Sequence, residues 1–450
     1  SESVTNTLTQ RRPEANLNGF GAYDQLDQNK GSVKTTVNTY GETFVVPQFT
    51  IKEILDAIPA ECYKRSYVKS FSYVARDLFF IGLFAYAAHA YLHLIPWVSL
   101  RVVAWIAYGF VQGLFGTGCW VLAHECGHGA FSDSKTVNDI VGWILHSALL
   151  VPYHSWRISH GKHHKATGNL QRDMVFVPKT KEEFFSVRNI TEAAEDTPIL
   201  TLWNVLLQQL FGWIMYLFTN VTGQKYPNRN KWAANHFLPS SPIFDKKDFM
   251  DMVSSDIGIL TTMTLIYLSI QKWGFSTVAL YYIIPYLWVN HWLGKFLPDY
   301  SLSQTKAVTN LVFLVAITFL QHTDPTLPHY TGDEWNFVRG AAATIDRDMG
   351  FIGRHILHGI IETHVLHHYV STIPFYNADE ASEAIKPVMG KHYRANTEGG
   401  ALGFIRAIWH SARWCQWVEP SADAEGPGKK VLFFRNRNGL GTKPAVIQAQ

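Results

Sequence analysis

Apolar residues gather in long blocks along this chain, and polar stretches separate the blocks. Residues 71–97 and 98–123 form one adjoining pair of apolar runs, and 257–275 and 277–293 form a second. A helix needs about 20 apolar residues to cross the hydrocarbon core of a bilayer. Each run is therefore expected to span, and each pair to form a hairpin that returns the chain to the side it left. The expected architecture is all-α and polytopic. It has four transmembrane helices in two hairpins, interfacial helices and a histidine-rich polar domain.

Shorter patterns fill the intervals. Residues 1–47 are polar, lack periodicity and read as a disordered cytosolic tail. Residues 48–440 form the membrane domain, and 441–450 a loose C-terminal tail. Ile51, Ile54, Leu55 and Ile58 recur at helical spacing beside Lys52, Glu53 and Asp56. That pattern fits a helix lying on the membrane surface, or a short soluble helix packed on the domain. Val137 to Tyr153 is apolar but too short to cross, so it reads as re-entrant or interfacial. Ile199 to Val221 mixes Trp203, Leu206, Leu207 and Leu210 with Gln208, Gln209 and Asn220, which suits an interfacial helix. Phe404 to Val418 is amphipathic and rich in Trp.

Composition agrees with the blocks: 47% of residues are hydrophobic, 14% aromatic and only 17% charged. A net charge of +3 with no basic run gives no reason to expect nucleic acid. Cys62, Cys119, Cys126 and Cys415 show no C-x-x-C spacing, so no disulfide framework is expected and a reducing cytosolic face fits. No basic-then-apolar segment opens the sequence, so an internal span is expected to serve as the targeting signal. Lys and Arg crowd 155–188, 224–247 and 391–437. The positive-inside rule then places the polar domain in the cytosol.

Histidine changes the picture. Eight of the 20 histidines fall in three clusters: His124 and His128; His160, His163 and His164; His364, His367 and His368. Spacings of i, i+3 and i+4 put each cluster on one helical face, and two crossings between clusters keep them in one compartment. Eight imidazoles are too many for one zinc ion, which takes four. They suit two metal ions side by side, and imidazole suits iron, copper and zinc. A dinuclear histidine site at a membrane boundary points to iron, to dioxygen activation and to a long alkyl substrate. Two other classes stay open. His124-Glu-Cys-Gly-His128 matches the H-E-x-x-H zinc protease motif, with Glu125 as base, although six further histidines have no use there. A metal-storing or transporting membrane protein is the other class, although transporters usually carry polar groups inside their spans.

The motifs in combination resemble the membrane-bound fatty acid desaturases. They resemble most closely the microsomal oleate Δ12-desaturase group, in its fungal branch of Δ12 and ω-3 members. The matching stretches are HECGHGAFS at 124–132, SHGKHHKATGNLQRDMVFVPKT at 159–180, YLWVNHWL at 286–293, QHTDPTLPHY at 321–330 and THVLHHYVSTIPFYNADEA at 363–381. The resemblance runs from about residue 40 to 445. It implies a cytosolic non-haem di-iron site on His124, His128, His160, His163, His164, His364, His367 and His368, with His322 as a further ligand or a structural neighbour. It implies O2 as co-substrate and electrons from NADH through cytochrome b5 and its reductase. No His-Pro-Gly-Gly haem motif is present, so the donor would be a separate protein. The implied reaction places a cis double bond at Δ12 of a phospholipid-bound oleoyl chain, giving linoleate, in the endoplasmic reticulum membrane. Δ15 or mixed Δ12/Δ15 desaturation, hydroxylation and epoxygenation share the scaffold, and a homodimer stays open. Glu125, Asp173, Asp324 and Glu362 lie near the ligands in sequence and are candidates to orient them.

Two departures from the family pattern stand out. Pro-Tyr-His154-Ser-Trp replaces Pro-Tyr-Phe-Ser-Trp, placing an extra imidazole six residues before His160. Residues 294–314 also intervene where the family runs from His-Trp-Leu straight into Val-Ala-Ile-Thr. Pro298, Asp299, Ser301, Ser303, Gln304 and Lys306 would split a fourth span, and polar groups in lipid are costly. Gly294-Lys295-Phe296 is what GGTAAGTTT encodes, which contains a common splice-donor sequence, so the insert reads as a translated intron. Sequencing the transcript against genomic DNA tests this. A spliced message without these residues is expected, and one that keeps them ends the idea.

Overall fold

The computed structural model describes residues 32–186, 202, 212–293, 319–437, 439 and 441. Among the described residues, three helices are long and apolar enough to cross a membrane: Tyr67–Leu94, Val98–His128 and Lys246–Trp273. Leu78, Phe79, Leu83, Ile106, Leu260, Met263 and Leu265 stand exposed along them. Apolar surface on that scale marks a lipid or partner interface. The fourth run forms a helical passage in three pieces: Phe275–Val278, a π-helical turn Ala279–Ile283, and Ile284–Leu293. The insert at 294–314 lies outside the described residues, as do 1–31 and nearly all of the C-terminal tail.

Helix ends follow local chemistry. Ser66 caps the first long helix by accepting from the Lys69 N–H, so that helix starts at Tyr67 rather than 71. The second runs five residues beyond the expected end at 123, to His128. Gly129 closes it at φ 70°, a left-handed conformation that suits glycine. The Lys135–Ala148 helix has 14 residues, too few to cross.

Close approach of helices depends on glycine. Gly109 and Gly113 on Val98–His128 face Ile284 and Trp288 of the fourth run, where a Cβ on Gly113 would sit 2.3 Å from Trp288 Cβ. Small residues let apolar helices pack this closely. Gly113→Val is therefore expected to lower stability by about 1–3 kcal/mol through overpacking. Gly82→Ala, with no neighbouring atom within 4 Å, should not lower it. Thermal melts in detergent check both.

Three expectations are corrected. Against the disorder expected over 1–47, the described residues 32–47 are ordered. Thr35–Val37 pairs antiparallel with Thr43–Val45, and Phe44 meets Phe433 edge-on at 5.3 Å. The chain is mostly helical rather than all-α. Pro328–Tyr330, Val431–Arg435 and Trp417–Pro420 form a three-stranded sheet, and Asp346–Arg347 pairs with Ala395–Asn396. The amphipathic segment after Pro47 is a soluble helix, Ile51–Ala57, closed by a Thr50/Glu53 capping box and buried through Ile51 and Ile54. It packs on the Ala378–Met389 helix, so the membrane-surface alternative falls away. Of Ile199 to Val221, only 202 and the part from 212 lie within the described residues.

Two hydrophobic clusters dominate the interior. One gathers Trp120, Trp156, Trp213, Val289 and Leu320. The other gathers Val33, Ile54, Trp335, Val365, Leu366 and Tyr369. The short His364–Tyr369 helix is thereby held by Val365, Leu366 and Tyr369. Its three histidines are left to face elsewhere.

Candidate metal centre

Each histidine arrives on its own fixed support. His124 and His128 occupy the last turns of the second long helix. His160, His163 and His164 end the Tyr153–His164 helix. His364, His367 and His368 fill the His364–Tyr369 helix. His322 closes a 3-10 turn, Leu320–His322. That turn is clamped by the buried Arg347, which donates to the Leu320 and Thr323 carbonyls at 2.9 and 3.0 Å.

The nine rings converge in two adjoining groups. His124, His128, His160, His164 and His367 form one, and His163, His322 and His368 the other, with donor atoms in each within 4.8 Å of one another. His364 joins the second, its Nε2 lying 3.1 Å from His322 Nε2. Within the groups, Nε2 atoms of His124 and His160 are 3.1 Å apart, as are those of His160 and His164. His163 and His322 are 3.3 Å apart. The groups touch where the His164 and His368 rings stack at 4.2 Å.

These spacings fit metal ligation. Two nitrogens about 2.1 Å from one ion at a right angle lie roughly 3.0 Å apart. The Nε2 atoms of His128, His367 and His368 are buried with no hydrogen-bond partner, which is costly unless something fills the position. Burial pushes His160, His164, His367 and His368 well below the usual histidine range, and His364 to about 3. The imidazoles are therefore neutral, the form that binds metal. An all-nitrogen donor set suits a transition metal and not calcium or magnesium.

Groups behind the rings orient them. Asp173 Oδ1 accepts from His163 Nδ1 at 2.8 Å and from the Val175 and Phe176 N–H groups. Glu125 Oε1 stands 3.3 Å from His124 Nδ1, and its Oε2 accepts from Phe375 N–H at 3.1 Å. Glu125 thus sits behind the ring, on the side away from the converging Nε2 atoms. A protease base must face the metal's open side, so the H-E-x-x-H reading loses its geometry. Asp324 and Glu362 touch no histidine of the two groups in this way: Asp324 pairs with Arg347 at 3.6 Å, and Glu362 accepts from Met349 N–H. His154 lies outside both groups.

Some residues that shape the site were missed by sequence reading. Arg347 positions His322, and Thr167 Oγ1 lies 3.1 Å from His368 Nδ1. Asp77, buried in the first long helix, binds His358 Nε2 at 2.8 Å and Arg76, docking the loop before the third cluster. A carboxylate inside an apolar run was the available signal for that contact.

Other buried histidines carry a pH prediction. Burial lowers His146 from its usual 6.5 to about 3, and His236 and His329 to about 4. Each is neutral when folded and protonates on unfolding, so the unfolded state binds more protons in acid. Their stabilisation is full above pH 6.5 and is lost as pH falls toward those folded values. The slope is at most about 1.4 kcal/mol per pH unit for each group. Melting curves from pH 7 downward should show this loss, and His236→Gln should flatten it.

Fold and site together define a class: a helical membrane protein with a twin histidine centre able to hold metal ions. The profile of the fatty acid desaturase family matches residues 100–399. The chain is 49% identical to oleate hydroxylase FAH12 of Claviceps purpurea, over 100% of this chain and 94% of that protein. It is 44% identical to the Δ12 fatty acid desaturase of Mortierella isabellina, over 88% of this chain and 93% of that one. It is 42% identical to an endoplasmic reticulum omega-6 fatty acid desaturase of Glycine max, over 93% and 100%. The chain belongs to the fatty acid desaturase family and is an oxidoreductase.

Proposed function

We propose that this chain is an acyl-lipid Δ12 desaturase that converts a phospholipid-bound oleoyl chain to linoleate. The observation that carries the reading is the pair of adjoining, buried, nitrogen-only groups at the end of an apolar helix. His124, His128, His160, His164 and His367 would hold one iron. His163, His322, His364 and His368 would hold the other. Two non-haem irons supply, with O2 and two electrons, an oxidant able to remove hydrogen from an unactivated methylene.

The protein's own residues do the rest. The buried imidazoles of His160, His164, His364, His367 and His368 stay neutral, and Asp173 accepts from His163 Nδ1. Trp156 stacks on His160 at 4.5 Å and Trp120 on His124 at 5.8 Å. These indoles screen the first group from water on the side of the apolar core. The 275–293 run serves as a fourth crossing, which keeps all three clusters on the cytosolic face of the endoplasmic reticulum membrane. Cytochrome b5 and its NADH-dependent reductase deliver the electrons.

A second reading, oleate hydroxylation, is favoured by the 49% identity to an oleate hydroxylase. Hydroxylation and desaturation share the oxidant and differ in the fate of the substrate radical. Expression in a yeast that makes no polyunsaturated fatty acids, followed by gas chromatography, separates them. Linoleate supports Δ12 desaturation. Ricinoleate supports hydroxylation, and α-linolenate from fed linoleate supports Δ15 activity. No new lipid contradicts all three.

A further inference from the structure

The second histidine group has a carboxylate behind His163 but not behind His368. The His368 Nδ1 faces a hydroxyl instead, Thr167 Oγ1, at 3.1 Å. Thr167 Oγ1 also lies 2.8 Å from the His163 carbonyl, four residues earlier, and donates to it. Such back-bonding is the habit of threonine on a helical turn.

A hydroxyl has one proton and two lone pairs. With the proton given to a carbonyl, the Thr167 oxygen can only accept, so His368 Nδ1 is the N–H donor. A neutral imidazole carries one N–H, and Nε2 is left with the lone pair. That Nε2 is buried, has no hydrogen-bond partner and belongs to the ring set of His163 and His322.

The threonine itself is held. Its carbonyl accepts from Trp335 Nε1 at 2.9 Å. A Cβ on Gly340 would fall 2.2 Å from the same carbonyl, so the neighbouring backbone leaves no room for it to shift.

We propose that Thr167 is a positioning residue of the metal centre that locks His368 in the tautomer with Nε2 free for metal. The proposal rests on the metal-centre reading above. It gives the second group two unlike supports: an anion behind His163 and a neutral hydroxyl behind His368. Loss of the hydroxyl leaves His368 free to carry its proton on Nε2, the wrong atom.

The test is iron retained by purified full-length protein after dialysis against a chelator, for wild type, Thr167→Ser, Thr167→Val and Thr167→Ala. Thermal melts check each fold. Serine keeps the hydroxyl and should retain iron as wild type does. Valine and alanine should weaken iron retention at the second group about 10- to 100-fold, leaving about half the iron, since one of two groups is affected. A folded valine or alanine variant with wild-type iron overturns the proposal. So does a serine variant that loses iron equally. Failure of both valine and alanine variants to fold also counts against it, since a residue that only fixes a tautomer is dispensable to the fold. Wild-type protein without iron defeats the metal-centre reading itself, which separates the two failures.

Discussion

His322→Ala is expected to abolish product formation and lower the iron held per chain. His322 belongs to none of the three sequence clusters, yet its Nε2 lies 3.3 Å from His163 Nε2 and 3.1 Å from His364 Nε2. Its ring also meets His368 edge-on at 4.7 Å. It is the shared neighbour of three proposed ligands, one from the second cluster and two from the third. Removing a group that merely orients a ligand costs about 10- to 100-fold in metal affinity or activity. Removing a ligand should cost at least the upper end of that range. Linoleate or ricinoleate from yeast expressing the variant, normalised to protein level, measures it. His154→Phe is the companion control. His154 sits outside both groups, so restoring the family's phenylalanine should leave product within a few-fold of wild type.

The second large effect is expected for Asp173→Asn. Asp173 is fully buried and spends one oxygen on His163 and two backbone N–H groups. An asparagine oxygen can keep the backbone bonds, so the turn after the second cluster should hold its shape. What disappears is the negative charge behind His163, which makes the imidazole a stronger donor to a metal. Charge-assisted hydrogen bonds are roughly twice as strong as neutral ones. Iron affinity and turnover should both fall about 10- to 100-fold, with an unchanged melting curve for the iron-free protein. Iron titration of the purified variant, read against its turnover, checks this. Glu125→Gln should cost less, because its contact with His124 Nδ1 is longer, at 3.3 Å.

The long-range skeleton of this molecule was legible because local patterns encode it. Apolar blocks give the long helices, and i, i+3, i+4 spacing puts each histidine trio on one face. His322 was legible only through the family resemblance. Contacts between distant segments were not legible. Thr167 meets His368 across 201 positions and Asp77 meets His358 across 281. No periodicity announces either pair. The N-terminal hairpin failed for a similar reason. Its strands have three residues each, too short to show alternation. What orders it is tertiary: Glu334 accepts from Ser32 and Val33 N–H, and Arg339 braces Glu334 at 3.0 Å. The Ile51–Ala57 helix shows the limit of amphipathicity, which marks an apolar face without saying whether lipid or protein covers it.

The Glu125 case shows how geometry separates classes that a motif leaves joined. H-E-x-x-H in sequence allows the glutamate to face a metal-bound water. On this helix Glu125 lies behind His124, tied to the Phe375 backbone.

Metal analysis of the purified full-length protein tests the central claim most directly. Two adjoining nitrogen groups predict about two irons per chain, lost together with activity on chelation. One zinc per chain and no iron would contradict the account.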